Sequence, residues 1–472
     1  MNIKDSTKKD YLKERTGIQM AVSSKMMEAL RKWKKAYINE SEWVSEKVPS
    51  LDLPSSIASE ISRLVTVESE VNLSGSAKAD YISSCLEQYT SNKKNIVETA
   101  CSIGGMYFKP FYDGDEVLID FVYQDEAIPF RFDGKGNVTG VIFPTFLFKN
   151  NKRYTKLEIH DFQKDKYIIE NRAFVSKEKD ITDLFVGDPG QEISLTDVEE
   201  WQNIEPKIQV NGTEHPFYSY FRVPLANNID RKSPLGVSVY ARALKDIKKA
   251  DIQMSRFDWE FESKETAIEL DEDYLQRDVY GQTFLPKGKE RMFRTYQSQG
   301  SFDKEKLFEH FSPEIRDQSF INGLNKYFQQ IEFKCGLAYG TLSDPQQVDK
   351  TAEEIKTSKQ RSYQLISDIQ GSLENALRGL INSIDDLCIA NGLFDGGEIN
   401  VAFTWDDSII IDAAKEKQQD IQDINTGVLN KYEYRMKWYG EDEETAKAKI
   451  AEMNSSRPGI TSAFMRDDVG DE

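Results

Sequence analysis

The spacing of apolar residues changes several times along the chain, and each change marks a different kind of element. In residues 1–100 it is helical. Ile18, Val22, Leu30, Trp33 and Tyr37 approximate one face, with Arg31, Lys32, Lys34 and Lys35 around the rest. Pro49 and Pro54 bound a linker; Ile57, Ile61, Leu64 and Val65 then predict a short helix starting near Ser55-Ser56. A third helical stretch runs from about Ala77 to Ala100. At Gly104-Gly105 the pattern turns to short β-rich runs: Met106–Phe111, Glu116–Phe121, Ile128–Phe132, Val138–Phe148, Tyr154–Phe162 and Tyr167–Phe174. Asp113-Gly114 and Asp133-Gly134-Lys135-Gly136 are turn signals between them, and an antiparallel sheet is the natural solution. Residues 176–235 read as irregular.

Helical spacing then returns. Tyr240, Leu244, Ile247, Ala250, Met254, Phe257 and Phe261 predict a helix from about Val237 to Glu262. Short strands are expected at Ala267–Leu270, Thr283–Leu285 and Met292–Tyr296, then a helix from Pro313 to Cys335 and loop chemistry from Gly336 to Pro345. Ile366, Ile369, Leu373, Leu377, Leu380, Ile384 and Leu387 hold a helix from Thr351 to Asn391, about 60 Å long, with Gly371 and Gly379 as the places to bend. A strand at Asn400–Trp405, polar helices at Ile411–Ile424 and Lys431–Met453, and a disordered tail complete the reading.

Composition narrows the function classes. The chain has 472 residues, with 80 Asp+Glu against 61 Lys+Arg and a net charge of −19. That balance opposes a protein that grips nucleic acid by neutralising phosphates. No apolar run is long enough to span a membrane, and Met1-Asn2-Ile3-Lys4-Asp5 lacks a signal-peptide core, so the expected compartment is cytosolic. Cys85, Cys101, Cys335 and Cys388 are far apart and read as buried hydrophobes.

The usual catalytic arrangements are missing. Gly281 to Gly288 is a near miss for a phosphate loop, with Pro286 where the second Gly belongs and Gly288 after Lys287. The Asp133 turn starts like a calcium loop, but Lys135 and Val138 break it. His160, His215 and His310 lie in unrelated segments. Asp271/Asp273, Asp385/Asp386 and Asp406/Asp407 are acidic pairs of the kind a chain this acidic produces by chance. The reading is of a non-enzyme, with no catalytic, metal or cofactor residue.

Four segments carry a resemblance. They are Pro234-Leu235-Gly236-Val237-Ser238-Val239-Tyr240; Leu342-Ser343-Asp344-Pro345-Gln346-Gln347-Val348 running into Lys350-Thr351-Ala352-Glu353-Glu354-Ile355; Gly104-Gly105-Met106-Tyr107-Phe108-Lys109-Pro110; and Lys431-Tyr432-Glu433-Tyr434-Arg435. With the order of elements, they resemble the portal proteins of tailed bacteriophages, in the branch common among phages of Gram-positive hosts. The resemblance implies an α+β portal fold: wing of helices plus antiparallel sheet (1–236), first stem helix (237–263), small α/β clip (264–312), second stem helix (313–336), tunnel loop (337–351), long kinked wing helix and returning strand (352–410), short helical crown (411–455) and disordered tail (456–472). It also implies a homo-oligomeric ring, usually of twelve, at one capsid vertex, assembled in the host cytoplasm. Its partners would be the terminase large subunit, a head-completion or adaptor protein, the major capsid and scaffold proteins, and double-stranded DNA passing without sequence specificity; no membrane is involved.

Geometry makes that implication concrete. Twelve stem helices side by side at ~10 Å close a circle ~38 Å across, leaving a bore of ~28 Å. An acidic wall lets a polyanion slide where a basic one would hold it. The tunnel loop is placed at Gly340, Thr341, Leu342, Ser343, Asp344, Pro345, Gln346 and Gln347, and candidate cationic rings at Lys245, Lys248, Lys249, Lys350, Lys356 and Lys359. Phe257, Trp259 and Phe261 are read as intersubunit or helix–helix packing. The competing readings are a metal-dependent DNA-processing enzyme and another minor virion head protein.

Overall fold

Capping chemistry sets the N-terminal helices. The Asp10 carboxylate accepts the Lys13 N–H at 3.1 Å to start α1 (Tyr11–Thr16), and the Ser23 hydroxyl accepts the Met26 N–H at 3.3 Å to start α2 (Ser24–Tyr37). α3 (Leu53–Thr66) begins slightly before its expected start, because Pro54 fits the first turn of a helix. The chain is seen in a computed structural model that describes residues 10–67, 69–163, 166–178, 183–185, 187–264, 267–271, 293–296, 308–311, 314–344, 352–394, 396–405 and 413–455. It forms two units, Met1–Trp405 and Asp406–Glu472.

After β1 (Ser69–Ser74), the helix expected at 77–100 is two, α4 (Ala77–Cys85) and α5 (Glu87–Ile103). Leu86 between them has ψ −9°, well away from the helical value of about −42°, which turns the chain there. The next strands are β2 (Gly105–Tyr112), β3 (Val117–Tyr123), β4 (Ile128–Phe132), β5 (Val138–Lys149), β6 (Lys152–Gln163) and β7 (Lys166–Ser176). Residues 176–235 are more ordered than their sequence suggests. They supply β8 (Gln191–Ile193), β9 (Lys207–Val210), β10 (Ser219–Arg222) and two single 3₁₀ turns.

Two antiparallel sheets form in place of the single one expected. One runs β10-β2-β3; the other runs β4-β5-β6-β7-β8, with β9 also on β7. Tyr107, Val141, Phe143 and Tyr218 fill the core between them. Gly104, at φ +99°, shows why two sequence segments belong together: a Cβ there would lie 2.5 Å from the Gly236 carbonyl oxygen, so only glycine lets these backbones touch. His160 is buried and satisfied. Tyr167 Oη accepts the Phe217 N–H and lies 2.6 Å from His160 Nδ1, while His160 Nε2 lies 2.8 Å from Glu158. Burial lowers the His160 pKa and the Glu158 partner opposes that shift.

The helix expected from Val237 starts seven residues later, as α6 (Leu244–Ser263). Residues 237–243 are spent on packing turns instead. Val239 donates its N–H to Cys101 O at 3.0 Å, and the buried Tyr240 hydroxyl donates to Trp33 O at 2.9 Å. β11 (Ala267–Asp271), β12 (Phe293–Tyr296) and β13 (Phe308–Phe311) make a small sheet, with β12 parallel and β13 antiparallel to β11. The strand expected at Thr283–Leu285 lies outside the described residues. α7 (Asp317–Cys335) and α8 (Ala352–Ala390) follow, and β14 (Asn400–Trp405) returns to pair with β1. α8 stays helical through Gly371 and Gly379. At Gly379 a Cβ would meet Ser219 at 3.0 Å, so this glycine lets α8 lie close on β10.

In the second unit the expected 431–453 helix is two. α9 (Ala413–Thr426) is followed by α10 (Lys431–Tyr439) and α11 (Glu443–Ser455), divided at Gly440, whose φ of +63° ends the helix. Asp420 accepts from Trp438 Nε1 at 2.7 Å, and Arg435 holds Glu441 with two bonds. The expected tail, 456–472, lies outside the described residues.

Candidate functional site

α6 and α7 form an antiparallel pair pinned at both ends. At one end Arg316 grips Glu260 through Nε at 3.0 Å and Nη2 at 2.8 Å, with Lys264 at 2.6 Å. These cations hold the Glu260 carboxyl down at about 2. At the other end, ~21 Å away along the helix, the buried Asp246 pairs with Lys334 and has Lys249 at 3.5 Å. Asp251 ties α6 to the segment before α3, accepting from Trp43 Nε1 at 2.8 Å and from the Leu51 N–H at 3.0 Å. Burial raises its carboxyl pKa; those hydrogen bonds oppose the rise.

Near the Glu260 end an aromatic contact joins the helices: Phe257 meets Phe320 of α7 at 5.8 Å between ring centroids and Phe261 of its own helix at 4.8 Å. Trp259 is left 63% exposed and Phe333 57% exposed, with Phe261, Ile315 and Ile321 also in solvent.

The candidate cations divide. Lys245, Lys248 and Lys249 are exposed and share one face of α6 with Arg256 and Trp259. Lys248 lies over the Trp43 ring at 5.7 Å and Lys249 is engaged with Asp246, whereas Lys245 makes no ion pair among the described residues. Lys359 is exposed on the N-terminal part of α8. Lys350, and the side chain of Lys356, lie outside the described residues.

The segment after α7 is the most tightly specified part of the site. Gly336, at φ +75°, ends the helix, and Gly340, at φ +88°, makes the next turn. Glu332, on α7 and fully buried, then receives the N–H groups of Gly340 at 3.1 Å, Leu342 at 2.7 Å and Ser343 at 2.8 Å on one oxygen. The Ser343 hydroxyl donates to the other at 2.8 Å. Asp344 donates its N–H to Asn325 Oδ1 at 2.9 Å, and Tyr339 donates its N–H to Ser358 Oγ at 2.7 Å. Thr341 closes on Ala338 O at 2.7 Å. Arg361, from α8, lies over the rings of Phe333 and Tyr339 at 4.6 and 5.6 Å. The expected loop residues 340–344 are therefore brought together on α7, while Pro345, Gln346 and Gln347 lie outside the described residues.

Sequence reasoning had missed Glu332, Asn325, Ser358 and Arg361. A signal was there: Asn325, Gln329 and Glu332 make a polar stripe at helical spacing on α7, beside Ile331 and Cys335.

Among the described residues, the groups that would suggest enzymatic chemistry are otherwise engaged, while Asp273, Asp406, Asp407 and the side chains of Asp271 and His310 lie outside the described residues. Asp385 pairs with Lys78 at 2.7 Å, and Asp386 accepts the His215 N–H at 3.0 Å. The four cysteines are free and buried, and burial pushes the thiols of Cys101 and Cys388 up to about 12 and about 11. Among the described residues no three His, Cys, Asp or Glu converge as metal ligands would, and no helix is long and apolar enough to cross a membrane.

Comparison with known proteins gives three findings. No curated protein matches the chain. A solved structure described as "Neck of native GTA particle computed with C12 symmetry" covers 89% of this chain and 94% of its own at 11% identity, with a loose superposition (TM-score 0.40). The family model for "Phage portal protein, SPP1 Gp6-like" matches residues 70–457, from the start of β1 through α6, α7 and α8 to just beyond α11. With more than four-fifths of its length inside that match, the chain belongs to the SPP1 Gp6-like family of phage portal proteins.

Proposed function

We propose that about twelve copies of this chain close a ring at a unique capsid vertex, with the α6–α7 pair as the wall of a channel for double-stranded DNA. Family membership supports a portal role in the phage head, and in this reading the chain is a structural part. In this reading residues 1–236 are the wing, 237–263 and 313–336 the stem, 264–312 the clip that faces the terminase motor and later the head-completion proteins, 337–351 the tunnel loop, 352–410 the long wing helix with its returning strand, and 411–455 the crown. Major capsid and scaffold proteins surround the wing during assembly in the host cytoplasm.

The observation that carries it is the α6–α7 pair itself. Its two helices are locked by ion pairs at both ends, yet Trp259, Phe261, Ile315 and Ile321 stay in water. A neighbouring copy covers such a surface, and repetition of one heterologous contact closes a ring. The net charge of −19 per chain suits a wall on which DNA slides. Lys359, exposed and without an ion pair among the described residues, is the best placed of the candidate cations to brake that motion, because Lys245, Lys248 and Lys249 share the α6 face of Trp259.

Size-exclusion chromatography with light scattering and negative-stain imaging test the proposal. Twelve chains of 54.2 kDa give a particle of about 650 kDa with an axial hole. A monomer or dimer, or magnesium-dependent cleavage of DNA by the purified chain, contradicts it.

A further inference from the structure

We propose that Glu332 is the positioning residue of segment 336–344: its buried carboxylate gathers this stretch onto α7, so that segment and helix move as one body. Four hydrogen bonds end on this side chain, three from backbone N–H groups and one from the Ser343 hydroxyl. Backbone N–H groups arranged around a concavity are an anion site, and here the protein fills the site with its own carboxylate.

The clamp also gives the chain a direction. Residues 340–343 lie at Glu332, and Asp344 lies at Asn325, seven residues earlier on the same helix face. The segment that leaves α7 at Gly336 therefore folds back along it for about 10 Å. Ser343 is 3% exposed, so without the carboxylate its N–H and hydroxyl face a desolvated space with no acceptor. Ser358 and Arg361 tie the same segment to α8 at Tyr339 and Leu337. Glu332 thus sits where a displacement of 336–344 becomes a displacement of α7.

The consequence for DNA passage rests on the channel reading above, whereas the clamp stands on the hydrogen bonds alone. Two substitutions separate hydrogen bonding from mere occupancy. Glu332→Gln keeps an oxygen for the three N–H groups and an amide that donates to Ser343 Oγ. Glu332→Ala removes the carboxylate from all four donors and leaves only Ser343 Oγ, 3.3 Å from the Gly340 N–H.

Hydrogen exchange by mass spectrometry on the full-length assembled protein reads the clamp. In Glu332→Ala the amides of Gly340, Leu342 and Ser343 should exchange at least roughly tenfold faster, and in Glu332→Gln less than about threefold faster. Amides in β5–β7 should not change in either. Wild-type exchange at these three amides in Glu332→Ala overturns the clamp, as does equal acceleration in both variants. Should Glu332→Ala not assemble, Ser343→Ala removes the hydroxyl's bond to Glu332 and the 3.3 Å bond it accepts from the Gly340 N–H, while the three N–H bonds to the carboxylate remain; it should accelerate the same amides by a smaller factor, and no acceleration there counts against the proposal. DNA packaging into heads is the second readout: Glu332→Ala rings should package less DNA, with rescue in Glu332→Gln. A loosened segment with normal packaging leaves the clamp intact and removes 336–344 from the channel reading.

Discussion

In the sheets the largest buried side chains are aromatic: Tyr107, Phe108, Phe143, Tyr218 and Phe221 are each at most 3% exposed, and Tyr107, Phe143 and Tyr218 meet edge to face. On α6 and α7 six of the ten buried residues are polar or charged, namely Asp246, Asp251, Glu260, Asn325, Gln329 and Glu332. The two regions keep their shape by different means. The sheets hold together through area removed from water, which is non-directional and strong. The helix pair relies on directional locks. Those add little net stability per bond but fix which residue faces which. Under the proposed ring reading, a wall element built this way would turn its apolar surface to a neighbour while its geometry is set from within.

Four substitutions or conditions sharpen or break that contrast, taken from the largest effect on stability. Phe108→Ala empties the aromatic core and should cost about 3–5 kcal/mol in chemical denaturation of the chain. A loss below about 1 kcal/mol would erase the distinction. Lys334→Met leaves the buried Asp246 with only Lys249, at 3.5 Å. Because the Lys334 side chain is 38% exposed and partly screened, the expected loss is smaller, about 1–3 kcal/mol. It should appear as faster exchange at the Asp246 end of α6.

The third test uses acid. The Glu260 carboxyl is held at about 2 in the folded chain against an ordinary value of 4.5, so the unfolded chain binds the proton first. Its contribution is complete above 4.5 and is lost as pH falls toward about 2. The Glu260–Arg316 end of the pair should loosen across that window; Arg316→Met, which removes the main partner, should flatten the pH dependence measured by limited proteolysis. The smallest effect on the fold is expected for Trp259→Ser, within about 0.5 kcal/mol in thermal unfolding, because the side chain is already in solvent. Yet this change should sharply lower ring yield in light scattering. Unchanged assembly would mean that the exposed face of α6 is not the contact.

Much of the architecture was legible beforehand, for physical reasons. The strands from β2 to β7 are marked by β-rich runs with Asp-Gly turns at 113–114 and 133–134, and α8 repeats its apolar stripe for about six turns from Ile366 to Cys388, so local pattern and tertiary burial agree. What escaped was non-local or stereochemical. β1 (Ser69–Ser74) has little strand character of its own; it exists because Asn400–Trp405 returns to pair with it from over 300 residues away. The late start of α6 follows from Val239 and Tyr240 bonding to α5 and α2, which no local spacing shows. The candidate loop was found at its glycines, while its chief anchor was not. An acid on a helix normally reads as a solvated face, and only the fold shows Glu332 turned inward to three N–H groups.

A cryo-electron microscopy map of the assembled particle tests the central claim most directly. The account predicts a closed ring in which α6 and α7 of every copy run beside the axial hole, Trp259 is covered by the adjacent subunit, and 340–344 lie against α7 at the wall. A ring without an opening, or one with α6 and α7 on its outer rim, would contradict it.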